Sequence, residues 1–104
     1  MHQNTADTAS PVQEGDTKMA QCNRELMALK SVNRAEYAHY HTEMNSLVAS
    51  GRVYMGVRGT VSQDINDIVE PGYQYGTAKL CWRIRNSLAQ SLIRQADAGT
   101  GRTQ

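Results

Sequence analysis

Apolar residues recur with a helical period through the first half of the chain. Residues 17 to 50 contain no Gly or Pro, Asp16 or Thr17 can cap the start, and Gly51 can end the helix. On a helical wheel the apolar positions fall within about 100° of arc. These positions are Met19, Cys22, Leu26, Leu29, Tyr37, Tyr40, Met44, Leu47 and Val48. The pattern predicts one long helix of roughly 33 residues, about 50 Å from end to end.

This apolar stripe, the first-helix seam, has the features of a helix that pairs with another helix. Asn33 interrupts it near the middle, and its two borders differ in charge. Acidic residues line one border and basic residues the other: Glu25, Glu36 and Glu43 against Lys30, Arg34 and His41. A polar residue within such a seam can set the register of pairing. The residues expected to contact a partner are Leu26, Leu29, Asn33, Tyr37, Tyr40, Met44 and Leu47. The alternative is an amphipathic helix that packs on its own core.

The segment that follows is ambiguous between strand and helix. Val53, Met55 and Val57 keep a period of two, which predicts a short strand near 53–57, and Gly56 weakens a helix there. Thr60 and Gln63 have the spacing of a capping box, which predicts a short helix over 61–69. Pro71 and Gly72 are expected to end it.

A last helix is predicted from about Ala78 to Ala96, capped by Thr77 and ended by Gly99. Its main apolar face consists of Leu80, Cys81, Ile84, Leu88 and Leu92. Trp82, Ala89 and Ile93 form a second apolar strip, with Arg85 between the two. A helix that is apolar on two sides needs two neighbours.

Trp82 and Arg85 are the residue types favoured at the centre of protein interfaces. We therefore expect Trp82, Arg85, Ala89 and Ile93 to contact a protein partner. The alternative is that Trp82 is buried in the core, while the guanidinium group of Arg85 reaches past it to water.

Together these elements predict a mainly all-α fold. It has a long N-terminal helix, a shorter helical pair and one short strand. A single helical domain over 17–96 would lie between a disordered N-terminal tail, 1–16, and a flexible C-terminal tail, 97–104. Because the two shorter helices together span only about four fifths of the long one, part of the seam should stay open. The simplest partner for it is a second copy, which gives a helical-bundle homodimer.

Composition limits the possible cellular locations of the protein and the possible classes of partner. Eleven basic and ten acidic residues give a net charge of +1, which makes no strong electrostatic case for nucleic acid. No apolar run is long enough to cross a membrane. Cys22 and Cys81 are expected to be reduced thiols in a cytoplasmic protein, and a disulfide between them is the less favoured alternative.

Catalytic and cofactor chemistry finds little support in the residues. Cys81 has no His in its segment, and the glycines form no phosphate-binding pattern. Glu36, His39 and Glu43 have the spacing of carboxylate and histidine ligands on one helix face, but the other segments supply no matching ligands. We therefore expect no metal site, no cofactor and no enzyme activity.

The favoured function is a small protein–protein interaction module, such as an adaptor, a chaperone or an inhibitor of a larger assembly. The alternative is a dimeric transcriptional regulator, because residues 62–94 are similar to a helix-turn-helix. That similarity would place Thr77, Lys79, Arg83 and Arg94 at the DNA. Asn66 and a turn about two residues too long depart from the motif.

Overall fold

The computed structural model describes residues 11–100, and the side chains of residues 17–99, as three helices. They are α1 (Pro11–Val32), α2 (Arg34–Val57) and α3 (Gln63–Thr100). The all-α fold class is confirmed. Residues 1–10 of the predicted disordered tail 1–16 and residues 101–104 of the predicted flexible tail 97–104 lie outside the described residues, and the homodimer stays a prediction.

The predicted long helix is broken at Asn33, so its continuity over 17–50 is wrong. Asn33 has extended backbone angles, φ −155° and ψ 91°, and its Oδ1 accepts a hydrogen bond from the backbone N–H of Glu36 at 3.2 Å. Asn is a poor residue inside a helix and a good N-cap. The break lets α1 and α2 fold against each other, which hides apolar surface that a straight helix would leave in water.

The predicted strand near 53–57 and the predicted end at Gly51 are also wrong, because α2 continues to Val57. A Gly inside a helix costs only about 1 kcal/mol. Contacts with α3 offset this cost, since Tyr73 donates a hydrogen bond from its hydroxyl to the carbonyl of Ser50 at 2.9 Å. Tertiary packing therefore overrides the period-two pattern.

Residues 61–96 do not form two helices separated by a turn. After a turn at 58–62, α3 runs unbroken for 38 residues, about 57 Å, with Pro71 inside it. Ser62, and not Thr60, begins it, because Ser62 Oγ accepts from the backbone N–H of Ile65 at 3.3 Å. Pro71 removes one backbone hydrogen bond. The helix also continues past the predicted end at Ala96, and α1 starts six residues before the predicted Thr17.

The directions of the helices follow from their cross-contacts. Side-chain hydrogen bonds join Ser87 to Glu36, Arg83 to Glu43 and Tyr73 to Ser50. The residue numbers fall along α3 as they rise along α2, so the two helices are antiparallel. Cys22 meets Cys81 and Glu25 meets Arg85, so α1 runs parallel to α3. All three helices meet around one small core. Its buried side chains are Cys22, Leu26, Leu29, Met44, Leu80 and Ile84.

The two cysteines form a disulfide, so the prediction of reduced thiols is wrong. Their Cα atoms lie 5.4 Å apart, and the bridge closes a loop of chain with a sequence separation of 59. A loop of that length limits the freedom of the unfolded chain and stabilises the fold by about 4 kcal/mol in the chain-entropy account. A foldable region of this size gains much from such a covalent link.

Candidate functional site

Most of the first-helix seam is used inside the chain. Leu26, Leu29 and Met44 are buried, and Tyr37, Tyr40 and Leu47 are half-buried around the same core. Folding at Asn33 turns the two parts of the seam toward α3. These residues build the protein's own core, and a partner could reach the buried ones only if the helices separated.

Asn33 has a structural role that differs from the predicted one. Its Nδ2 donates to Ser91 Oγ at 3.1 Å, while its Oδ1 caps α2. Ser91 is only 3% exposed. Asn33 therefore joins the α1–α2 corner to α3. Its side-chain hydrogen bonds lie within the chain, whereas the sequence predicts that it sets the register with a partner helix.

The third helix presents two opposite faces. Leu80, Ile84 and Ser91 are buried against α1 and α2, whereas Trp82 is 63% exposed and Ala89 and Ile93 are exposed too. At 100° per residue these two sets lie about 180° apart. Leu92, expected on the main apolar face, is exposed, and Trp82 is not a core residue. The second strip predicted from Trp82, Ala89 and Ile93 is therefore open surface.

Because α3 is continuous, this exposed surface is longer than its three predicted residues. Ile68 and Tyr75 precede Trp82 at intervals of seven residues and are 73% and 68% exposed. Ala89 and Ala96 continue the same interval, and Ile65 and Ile93 lie beside the series. We call this set the outer strip: Ile65, Ile68, Tyr75, Trp82, Ala89, Ile93 and Ala96. The seven-residue interval is visible in the sequence, but the expected stop at Pro71 conceals it.

Arg85 does not extend from the side of a buried Trp82. Its Nε lies 3.0 Å from Glu25 Oε1 of α1, and the Glu25 side chain is largely shielded. Arg83 likewise reaches Glu43 of α2 at 3.4 Å. These two arginines hold α3 to its neighbours, so Arg85 borders the outer strip without belonging to it.

The four DNA-contact candidates do not share one surface. Thr77 lies half-buried on the core side of α3, and Arg83 is engaged with Glu43. Lys79 is exposed, and Arg94 is exposed with its Nη2 3.4 Å from Oγ of the buried Ser91. The turn that a helix-turn-helix requires is absent, because residues 63–100 form one helix. The motif geometry is therefore wrong, while DNA binding by another arrangement stays a prediction.

A polar cluster near the α2–α3 turn was not predicted. The hydroxyl of Tyr54 lies 2.8 Å from Asn66 Oδ1 and 3.2 Å from Glu70 Oε2, and Arg58 Nε lies 2.6 Å from that same oxygen. Tyr54 also stacks on Tyr73, with ring centroids 5.5 Å apart. Asn66 is buried, and its Nδ2 donates to the carbonyl of Arg58. The cluster fastens the end of the two-helix hairpin.

Two groups in this cluster have a raised pKa. Burial raises the pKa of Tyr54, and hydrogen bonding to Glu70 raises the pKa of Arg58. An open cleft of about 400 Å³ adjoins them. Its walls include Tyr54, Arg58, Glu70 and Tyr73, so the cleft lies between α2 and α3 beside the cluster.

The Glu36, His39 and Glu43 series does not converge on one point. His39 Nε2 contacts Glu43 at 2.8 Å, whereas Glu36 accepts a hydrogen bond from Ser87 at 2.9 Å. Within the described part of the chain, no three potential ligands come together as a metal site would require. Among the same residues, no helix combines the length and the apolar character needed to cross a membrane.

Comparison with known protein families finds a match over most of the chain. The model of a protein family described as YuaE matches residues 2–99. No curated protein and no solved structure matches the chain.

Proposed function

The chain belongs to the YuaE family, and we propose that it is a protein–protein interaction module that acts by pairing a helix face. The observation that carries this proposal is the outer strip. Large apolar side chains are exposed to solvent along α3, on the side opposite the core. An adaptor, a chaperone and an inhibitor of a larger assembly would all use such a face.

The size of the outer strip supports this function. Its five large side chains expose on the order of 600 Å², which is at the upper end for a monomer surface. A specific interface of standard size buries about 800 Å² on each partner. The strip with its borders is therefore large enough for specific association.

Rigidity also favours binding. The strip lies on one continuous helix that the disulfide and the Arg85–Glu25 pair fasten to α1. A preorganised surface loses little conformational entropy on association, so more of the buried area contributes to affinity.

The test is quantitative capture of partners from the native host with matched variants. Trp82→Ala should remove most of the captured material, because it deletes the largest exposed ring of the strip. Met55→Ala is the control, since Met55 on α2 is also 63% exposed but lies away from the strip. Equal capture by both variants and the wild type would contradict the proposal.

DNA binding, the alternative expected from the sequence, has no observation in the structure that favours it. Its measurement is a gel shift on random duplex at two salt concentrations. Binding that weakens steeply with salt and is lost in Lys79→Glu and Arg83→Glu would support it. Because Arg83 pairs with Glu43, the helicity of the Arg83→Glu variant must be checked first.

The cytoplasmic location and the lack of enzyme activity remain predictions. A cytoplasmic location predicts reduced thiols, because disulfides persist mainly in oxidising compartments. Alkylation of free thiols in freshly lysed host cells would decide it. Labelling of Cys22 and Cys81 supports the cytoplasm, whereas protection of both supports an oxidising compartment.

A further inference from the structure

We propose that the partner of the outer strip is the outer strip of a second copy, packed antiparallel about a twofold axis between Lys79 and Trp82. This inference rests on the proposed function and names its partner. It differs from pairing through the first-helix seam, because that seam fills the protein's own core.

The spacing of the exposed positions is that of a coiled-coil seam. Two series with seven-residue intervals alternate along α3 at steps of three and four. One series is Ile65, Gly72, Lys79, Asn86 and Ile93, and the other is Ile68, Tyr75, Trp82, Ala89 and Ala96. Together they extend over about 46 Å of helix. All ten positions lie away from α1 and α2, so a second helix can approach along the whole seam.

Antiparallel packing gives these positions complementary neighbours. When the axis passes between Lys79 and Trp82, the first series of one copy faces the second series of the other. Ile68 then faces Ile93 of the second copy, which is an apolar pair. Gly72 faces Ala89, and two small residues let the helices approach closely. A Cβ added at Gly72 meets nothing within 4 Å in the single chain, so the space beside it is open.

Lys79 favours the antiparallel orientation. In a parallel pair in register, Lys79 would face Lys79 inside the seam, and the like charges would repel each other. In the antiparallel pair it faces Trp82 of the second copy, whose ring attracts a cation. Lys79 Nζ already lies 5.9 Å from the Tyr75 ring centroid.

Charge along α3 points the same way. The N-terminal part carries Asp64, Asp67 and Glu70, whereas residues 71 to 96 carry basic residues and no acid. Glu70, Arg83 and Arg85 already pair within the chain. Antiparallel copies bring Asp64 and Asp67 of one helix toward the C-terminal part of the other, where Arg94 lies. The twofold contact uses the same surface on both copies and closes at two, which is the commonest form of homo-oligomer.

The buried area matches a dimer of moderate strength. If each copy contributes on the order of 600 Å², the total of about 1,200 Å² is at the lower end of specific interfaces. We therefore expect a dimer that dissociates on dilution, and sedimentation across micromolar concentrations should record both species.

The first experiment combines sedimentation with matched substitutions. Ala89→Arg places a charged side chain against Gly72 of the second copy and should raise the dimer Kd at least about tenfold. Ala49→Arg is the control, because Ala49 is an exposed alanine on α2 and should leave the Kd unchanged. A wild-type chain that stays monomeric at 100 μM with full helicity, or equal effects of the two variants, would overturn the inference.

The second experiment maps the register by cross-linking. An equimolar mixture of Ile68→Cys and Ile93→Cys chains should be joined by a short bismaleimide, while native Cys22 and Cys81 are paired with each other. Ile68→Cys alone should give no cross-link, because its two copies would lie about 37 Å apart along the axis. Cross-linking of Ile68→Cys to itself would show a parallel pair and overturn the inference.

These outcomes separate the inference from the proposed function. A monomer that still captures a host protein through Trp82 overturns self-pairing and leaves the interaction role standing. A monomer that captures nothing overturns both.

Discussion

Asn33 and Ser91, which are 58 residues apart in the chain, are joined by a hydrogen bond of 3.1 Å from Asn33 Nδ2 to Ser91 Oγ. The same Asn33 side chain accepts from the backbone N–H of Glu36 and so starts α2. One amide therefore serves both local and tertiary structure. It places the α1–α2 corner on the C-terminal part of α3, and the buried Ser91 hydroxyl obtains a partner.

Asn33→Ala should lower the free energy of unfolding by about 1 to 2 kcal/mol, because it removes a helix cap and the shorter of the two hydrogen bonds to Ser91 Oγ, the other coming from Arg94. Denaturant unfolding followed by circular dichroism measures the change. Asn33→Asp is the control, since its carboxylate keeps the cap and loses only the donor, and it should cost less. If 17–50 were one helix, alanine would instead stabilise the protein, and a gain in stability would contradict the observed break.

The disulfide supplies the second prediction. Reduction of Cys22–Cys81 should lower the free energy of unfolding by about 4 kcal/mol, because the unfolded chain regains the freedom that the closed loop denies it. Urea unfolding with and without dithiothreitol measures this loss. The Cys22→Ser, Cys81→Ser double variant should be weakened to a similar degree and should not respond to dithiothreitol. Equal stability of the oxidised and reduced wild type would show that the bridge adds nothing.

Pro71 lies inside α3 and should lower its stability. Pro71→Ala restores a backbone N–H and removes the steric conflict of the ring, so the free energy of unfolding should rise by about 1 to 3 kcal/mol. Gly56→Ala is the comparison variant. It should raise the free energy of unfolding by about 1 kcal/mol, because Ala favours the helix more than Gly does and the added Cβ meets no other atom. Thermal unfolding of both variants tests this. A loss of stability in Pro71→Ala would indicate that the helix requires the proline.

Tyr54 should ionise at higher pH than an ordinary tyrosine. Its pKa is raised above 10.0, first by burial and also by the nearby carboxylate of Glu70, although the hydrogen bond to Arg58 opposes these effects. The folded state thus holds the phenol proton more tightly than the unfolded state does. The resulting stability is full below pH 10.0 and is lost as the pH rises through the raised pKa.

Ultraviolet absorbance at high pH follows tyrosine ionisation directly. The spectrum of the wild type should contain a late component that Tyr54→Phe removes. A titration curve that merely shrinks in Tyr54→Phe, with no change at its alkaline end, would contradict the raised pKa.

Much of the fold could be predicted from periodicity, and the errors have identifiable causes. The apolar stripe through Leu26, Leu29 and Met44 does form the core. The stripe does not show, however, that the chain reverses direction at Asn33. Asn is favoured both as a helix N-cap and as a polar residue within a helix-pairing seam, so the residue type does not distinguish the two roles. The sequence predicts that Pro71 and Gly72 stop a helix, but the packing of α3 along α1 and α2 outweighs their local cost.

The candidate surface was partly predictable for the same reason. The sequence predicts Trp82, Ala89 and Ile93 as a second strip because they lie within one predicted helix. Ile68 lies in the predicted short helix 61–69 and Tyr75 lies between the two predicted helices, because Pro71 predicts a boundary there. Arg85 could not be assigned correctly from the sequence, because its partner Glu25 is 60 residues away.

The bridge between Cys22 and Cys81 encloses the turn at 58–62 within its covalent loop. A protease that cuts after the exposed Arg58 therefore yields two pieces that remain tethered. Such a nicked molecule would migrate as an intact chain until a reductant separates its halves, so damage at this turn need not release either fragment.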